Sequence, residues 1–225
     1  MNIPYNILII DDHPMIIDAY SSAINNSELS KNRFEIKIET ASCCNSAISK
    51  IENKGFNENL DLVILDISIP PCEEKKIFSG EQLGMFIKSI VPNLKILVIT
   101  SYDDSLRINN ILSNLNPDGF LVKKDISSLD LILAIETIIS GHPFYSNTVN
   151  LLIKKRMANK IILDEKDLRI LMELSNGSRM KELIDVVHLS KAGIEKRRRL
   201  LKVAFEVNGK SDRELILEAK KRGFL

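Results

Sequence analysis

A chain of 225 residues, 44% of them hydrophobic and 27% charged, is long enough for two ordinary domains and has the composition of a globular protein, which excludes fibrous and low-complexity classes. No apolar run approaches the roughly 20 residues of a membrane-spanning helix, and no basic segment followed by an apolar stretch opens the chain. No membrane partner is therefore expected, and a cytoplasmic location is. The formal net charge of +1 hides an asymmetry: Lys and Arg number 12 against 19 Asp and Glu in residues 1–150, and 19 against 11 in residues 151–225, giving −7 and +8. That split points to two functional halves, the basic one suited to a polyanion. Cys43, Cys44 and Cys72 make a poor disulfide framework and fit a reducing compartment; with three dispersed histidines they lack zinc-site spacing.

Taken in chain order, the first half alternates apolar runs with amphipathic stretches. "NILIID" (6–11), "FEIKIET" (34–40), "DLVILDI" (61–67), "KILVIT" (95–100) and "GFLVK" (119–123) read as five strands. After the first strand, Ile16, Ile17, Tyr20, Ala23 and Ile24 recur at helical spacing, and Pro14 suits a first helical turn, where its missing N–H has no partner to lose. Three of the strands are nearly all aliphatic, as in a parallel sheet covered by helices on both faces. The alternation predicts an α/β doubly wound domain with a five-stranded parallel sheet. Its last helix, within "ISSLDLILAIETIISGHPFYS" (126–146), stops at Gly141-His142-Pro143.

Residues 143–160 read as a connector, helical in part ("VNLLIKKRM"), and beyond it no strand signal returns. "DEKDLRILMELSNG" places Leu168, Leu171 and Leu174 on one face, with Gly177 as a stop. "RMKELIDVVHL" is a second short helix, Ser190 caps a third through "KAGIEKRRRLLKVAF", and the tail forms a fourth with Leu215, Ile216 and Ala219 on a core or dimer face. Three short helices with a tight turn before a basic third resemble a helix-turn-helix. The expected domains are residues 1–142, a linker 143–160, and a small all-α domain 161–225.

The carboxyl ends of parallel strands converge on the crevice where ligands bind. Asp11 and Asp12 end the first strand, Asp66 the third, Thr100 the fourth and Lys123 the fifth, so all fall on one rim. Three acids facing one crevice repel unless a divalent cation sits among them, and hard oxygen ligands favour Mg²⁺. A hydroxyl and an ammonium opposite that cation are partners for a phosphoryl group, in a site where a carboxylate attacks phosphorus.

The acid pair in "ILIIDDHP", with "LVILDISIPP", "VITS" and "GFLVKKD", closely resembles the receiver domain of two-component response regulators over about residues 5–141. The resemblance implies a flavodoxin-like fold and phosphorylation of Asp66 by a sensor histidine kinase. It also implies direct Mg²⁺ ligation by Asp12, Asp66 and the main-chain carbonyl of Ser68, with Asp11 acting through water. Thr100 and Lys123 would hold phosphoryl oxygens, and Phe120 stands at the switch aromatic. His13 reads as incidental. One departure is the polar stretch "PCEEKKIFS" (71–79), which delays the family's usual glycine to Gly80 and reads as a tolerated surface insertion or a gate.

Residues 163–207 resemble, more loosely, the four-helix helix-turn-helix of NarL/LuxR-type regulators, with Gly193, Glu195 and Arg197 in place of the usual threonine, lysine and histidine. At about 100° per residue, Ile194, Leu201 and Phe205 share a buried stripe, and Ala192, Glu195, Lys196 and Arg199 face outward. Lys196 and Arg199 are the expected base-reading or nearby phosphate contacts, and Lys191, Arg198 and Lys202 the expected phosphate contacts. The reading is a DNA-binding response regulator, not an enzyme, that forms a homodimer on double-stranded DNA when phosphorylated. A phosphatase-like enzyme is disfavoured because Asp66-Ile67-Ser68 lacks a second acid two residues on. The alternative is a helical output domain acting on protein or RNA.

Overall fold

Short aliphatic runs with both faces to cover form the centre of the first half, as the computed structural model, which describes residues 3–32, 34–158, 161 and 163–225, bears out. The elements in chain order are β1 (Ile3–Ile10), α1 (Pro14–Asn25), α2 (Glu28–Asn32), β2 (Phe34–Ala41), α3 (Cys44–Glu52), α4 (Lys54–Asn57) and β3 (Leu62–Asp66). They continue with α5 (Gly80–Ile90), β4 (Lys95–Thr100), α6 (Ser105–Asn114), β5 (Gly119–Val122), a 3₁₀ turn (Lys123–Asp125), α7 (Ser128–Ile139), β6 (Phe144–Tyr145) and α8 (Asn147–Ala158). The last four helices are α9 (Glu165–Ser175), α10 (Met180–Val187), α11 (Lys191–Ala204) and α12 (Asp212–Lys221). The chain divides into two compact units, residues 1–103 with 110–150 and residues 104–109 with 151–225. Residues 159 and 160, at the end of the expected linker, and 162, at the start of the expected second domain, lie outside the described residues. Among the described residues no helix is long and apolar enough to cross a membrane.

In the first unit the strands are all parallel, in the order β2-β1-β3-β4-β5-β6. The chain leaves β1 toward β2 on one side and resumes at β3 on the other, so the crevice between the carboxyl ends of β1 and β3 is the topological switch point. The inner strands β3, β4 and β5 are buried along nearly their whole length, whereas β2 at the edge alternates. One face packs Ile7, Ile9, Leu62, Ile64, Leu97, Ile99 and Leu121 against Ile24 of α1 and Leu131, Ala134, Ile135 and Ile138 of α7. Pro14 occupies the first turn of α1, as its spacing predicts.

Among the described residues the sheet has six strands, not five. Without β6, strand β5 would present an unpaired edge. Instead the Phe144 N–H donates to the Asp118 carbonyl at 3.2 Å and the Ser146 N–H to that of Phe120 at 3.0 Å. Two residues are too few for a period-two pattern to register in the sequence. The strand is held from outside its own length: Asp125 accepts from the Ser146 hydroxyl (2.9 Å), the Thr148 N–H (2.7 Å) and the Thr148 hydroxyl (3.0 Å), while Ser146 Oγ accepts from the Val122 N–H (3.2 Å).

The second unit has its own core, in which Ile170 and Leu171 of α9, Leu183 and Val187 of α10, Ile194 and Leu201 of α11, Phe205, and Leu215 and Ala219 of α12 are buried together. Its helix ends follow elementary capping. Asp164, Ser190 and Ser211 accept from backbone N–H groups at the starts of α9, α11 and α12. Gly177 (φ +80°) ends α9, and the short turn before α11 begins at His188 (φ 54°), one of few non-glycine residues in the left-handed region. Glu206 (φ 60°) and Gly209 (φ 73°) reverse the chain between α11 and α12.

Burial pushes the Asp125 carboxyl up, but the Thr148 N–H and the Ser146 and Thr148 hydroxyls outweigh it and hold it below the ordinary 3.8. A depressed carboxyl contributes stability that is complete above its unfolded value and lost as pH falls through the folded one. Asp125→Ala should lower the unfolding free energy by about 2 kcal/mol at neutral pH and deprotect the Ser146 amide in hydrogen exchange. Urea titrations at neutral pH and below about pH 4 should show that difference shrinking with acid.

Candidate functional site

The register of the sheet assembles the rim. Ile10 lies opposite Leu65 and Thr100 opposite Val122, which brings Asp11 beside Asp66 and Thr100 beside Lys123. Asp66 ends β3 and Thr100 ends β4, both buried; Asp11 follows β1, and Lys123 opens the turn after β5. Lys123 Nζ donates to Asp66 Oδ2 at 2.7 Å and to Asp11 Oδ2 at 3.0 Å. Both carboxylates are almost wholly out of solvent, at 3% and 2% side-chain exposure, so a single ammonium is shared by two buried anions. Burial alone would lower the Lys123 pKa; the hydrogen bonds and charges of Asp66 and Asp11 overcome it and hold the ammonium above its ordinary value.

Backbone donors fix the remaining oxygens. Asp66 Oδ1 accepts from the Ser68 N–H (3.0 Å), Asp11 Oδ1 from the His13 N–H (2.9 Å), and Thr100 Oγ1 from the Tyr102 N–H (3.2 Å). Asp12 differs: its Oδ1 is shielded from solvent yet accepts no hydrogen bond, and His13 Nδ1 stands 2.6 Å away. Asp11, Asp12 and His13 offer ligand atoms within 4.8 Å of one another. Among the described residues Asp66 is not part of that group; Lys123 joins it to Asp11 instead. Phe120 is fully buried in β5. Tyr20 of α1, which reads in the sequence only as part of an apolar stripe, faces the same groups. Burial pushes its phenol up to about 12, with Asp11 and Asp66 adding to the effect and Lys123 opposing it.

The 71–79 stretch is neither a loose loop nor displaced from the site. Cys72 and Ile77 pair through two backbone hydrogen bonds (2.7 and 3.0 Å) and are both buried, closing a small hairpin whose turn includes Lys76 at φ 54°. Lys75 Nζ ties its tip to Glu52 at 2.7 Å. The chain then returns to the point the delayed glycine has to reach. The Gly80 N–H donates to the Ile67 carbonyl at 3.1 Å, and a Cβ on Gly80 would stand 2.4 Å from the Asp66 carbonyl oxygen and 2.6 Å from the Ile67 Cα. Glycine is required there by the approach of two backbones. All three cysteines carry free thiols, and the Cys44 thiol, beside Cys72, is pushed up to about 11, mainly by burial.

In the second unit, α11 presents the face that its periodicity predicts. Ile194, Leu201 and Phe205 are buried, whereas Lys191, Ala192, Glu195, Lys196 and Arg199 are exposed. Arg198 and Lys202 are placed differently, half-buried and turned to Asp212: Arg198 Nη2 bonds Asp212 Oδ2, and Lys202 Nζ lies 3.0 Å from Asp212 Oδ1. Arg197 is also engaged, with Nη1 2.7 Å from both Asp167 Oδ1 and Asp164 Oδ2; these two carboxylates raise its pKa. The sequence reading gave Asp164, Asp167 and Asp212 no part in this surface.

Residues 7–136, more than half of the chain, match the response regulator receiver domain family. The chain belongs to that family and is a response regulator. Along its length the regulator is similar to the oxygen regulatory protein NreC of Staphylococcus epidermidis, 25% identical over 97% of this chain and 98% of that relative. NreC of Staphylococcus carnosus matches at 25% identity over the same shares. In fold the regulator is similar to RcsB from Salmonella enterica serovar Typhimurium bound to promoter P1flhDC in the presence of phosphomimetic BeF3⁻, with a TM-score of 0.64 at 20% identity over 96% of this chain and 98% of that one. It is likewise similar to RcsB in a structure of two dimers bound to two parallel DNAs, with a TM-score of 0.63 at 20% identity, covering 97% and 98%. The regulator thus carries a receiver and, in its second unit, a helical domain.

Gly80→Ala should destabilise the receiver by about 1–3 kcal/mol, because the added methyl would run into the Asp66–Ile67 backbone. The chemical shifts of the Asp66 and Ile67 amides should move with it. Unchanged shifts and stability would contradict the close approach.

Proposed function

We propose that the regulator accepts a phosphoryl group on Asp66 from a sensor histidine kinase and, when phosphorylated, binds DNA through α11 to regulate transcription. The observation that supports this reading is the Lys123 bridge between Asp11 and Asp66 at the switch point of the sheet, with Asp12 next along the chain and Thr100 at the end of the neighbouring strand. In the proposed transfer Asp66 Oδ2 forms a bond to phosphorus while the bond from phosphorus to the kinase imidazole nitrogen breaks, the imidazole leaving with the electron pair. Lys123 is already hydrogen-bonded to that oxygen, so its ammonium neutralises the charge that develops on the transferred group without having to be recruited. The Thr100 hydroxyl, at the neighbouring strand end, is the second partner for a phosphoryl oxygen. Once the acyl phosphate forms, the bond from Lys123 to Asp66 and that from the Tyr102 N–H to Thr100 rearrange, and Phe120 on β5 is the aromatic through which this biases contacts elsewhere. The consequence is a population shift toward a homodimer with two α11 helices on paired half-sites.

The residues present fit Mg²⁺. The Asp11 and Asp12 carboxylates, with an Asp12 oxygen shielded from solvent, offer the oxygen donors that hard cations take, and His13 Nδ1, 2.6 Å from that oxygen, has to give way to the ion. Asp12, Asp66 and the Ser68 carbonyl would hold the ion, with Asp11 behind them. When bound it supplies positive charge to the phosphoryl oxygens.

For the output we propose a receiver over 1–142, a linker over 143–160 and a DNA-binding domain over 161–225. Its support is the net +8 of residues 151–225 and the exposed Lys191, Lys196 and Arg199 on α11. Glu195 shares that exposed face, where a carboxylate accepts from cytosine N4 or repels phosphate. The alternative, an output domain for protein or RNA partners, draws support from the exposed Leu200 and Val203 on the same helix.

Acetyl phosphate with Mg²⁺ should label the wild-type regulator with an alkali-labile acyl phosphate and leave Asp66→Asn unlabelled; equal labelling of both would move the acceptor elsewhere. Gel-shift titration against genomic fragments should show log K falling by about 0.9 per log unit of salt for each phosphate contacted. Affinity flat across the salt series would overturn the DNA reading.

A further inference from the structure

Arg198 and Lys202 stand one helical turn apart on α11, on the face that looks toward the start of α12. Asp212, the first residue of α12, reaches back between them, bonding Arg198 through Oδ2 and facing Lys202 Nζ at 3.0 Å through Oδ1. Lys202 Nζ also donates to the Lys210 carbonyl at 2.7 Å, and Arg198 Nε is shielded without a hydrogen-bond partner. Beside this cluster opens a notch of about 270 Å³ lined by Glu195, Arg198, Arg199, Lys202, Asn208 and Gly209. The side chains of Arg198, Lys202 and Asp212 keep 26%, 21% and 29% of their exposure, so the group lies at the surface, where a phosphate can reach it.

We propose that Asp212 is a built-in counter-ion that competes with the DNA backbone for Arg198 and Lys202, setting the strength and the salt dependence of DNA binding without selecting sequence. The inference rests on the DNA-binding reading above. Affinity for a polyanion comes largely from releasing the small cations condensed on it, one for each phosphate that a protein cation neutralises. A lysine or arginine already neutralised by a fixed carboxylate displaces fewer, because the carboxylate repels the phosphate as the cation attracts it. A partly exposed ion pair is itself held weakly, so a phosphate can displace Asp212 instead of being excluded. Sequence choice stays with Lys196 and Arg199, which no carboxylate of the cluster engages. Ser211 and Glu214 cap α12 without the Asp212 side chain, so the residue is not needed for the helix start.

The test uses the full-length regulator and Asp212→Asn, each titrated with several unrelated duplexes over a salt series. The variant should bind every duplex more tightly, by about tenfold near 0.1 M salt, and its plot of log K against log salt should steepen by about 0.9 to 1.8, one step for each cation released. Unchanged affinity and slope in a variant whose wild-type parent binds DNA with normal salt dependence would overturn the role of Asp212 alone, as would a gain confined to one sequence. Wild-type binding that is absent or insensitive to salt would instead overturn the DNA reading itself. Should Asp212→Asn fail to fold, Lys202→Gln supplies the same decision. With Lys202 already neutralised, it should flatten the wild-type slope by well under 0.9, and a full step of loss would contradict the proposal.

Discussion

Two carboxylates withdrawn from water on adjacent strands repel each other strongly, and the receiver is arranged around a lysine ammonium that lets them coexist. Lys123 can bridge Asp66 and Asp11 because parallel register places the ends of β1, β3 and β5 at the same level, and because β5 is short enough for its next residue to turn over the rim. Breaking a buried ion pair by removing one partner commonly costs several kcal/mol, since the remaining charge is left unpaired. Site and fold are therefore coupled. The same bridge makes the rim responsive, for any group that changes the charge on Asp66 must also change what Lys123 holds.

The backbone around Asp66 is held by specific contacts. Asp66 is fixed from the Ser68 N–H on one side and by the close passage of Gly80 on the other, while the 71–79 stretch between them is closed off as a hairpin by Cys72 and Ile77. Sequence length in that loop therefore says little about how far the chain strays from the site. Its two ends are pinned to the same place that a shorter loop would reach.

Much of this was legible in the sequence, for reasons that differ by element. The strands β1, β3 and β4 announce themselves because strands buried on both faces read as unbroken aliphatic runs, and acids at their ends are then placed on one rim by topology alone. Helices α9 to α12 were legible from spacing and from Ser190 as a cap, whereas the caps Asp164 and Ser211 emerged only in the structure. Strand β6 was not, because two residues carry no period and its stability comes from Asp125, some twenty residues earlier. The outward face of α11 followed from helical geometry, but the engagement of Arg198 and Lys202 did not. A helical wheel knows nothing of Asp212, which arrives from the next helix. His13 likewise reads as incidental in a one-dimensional string, whereas its ring nitrogen lies against the acid pair.

The hairpin at residues 71–79 separates two demands that most loops beside a reactive group must satisfy together. Because the Cys72–Ile77 pairing closes the loop before the chain reaches the rim, the four residues between them answer only to solvent and to the Lys75–Glu52 ion pair. Lengthening a loop that is already closed at its base costs little further entropy, since that cost grows only with the logarithm of length. The tip is therefore a natural insertion point: a fluorophore-binding tag or an affinity peptide grafted between Cys72 and Ile77 would ride within a few residues of Asp66 without touching the backbone that positions it.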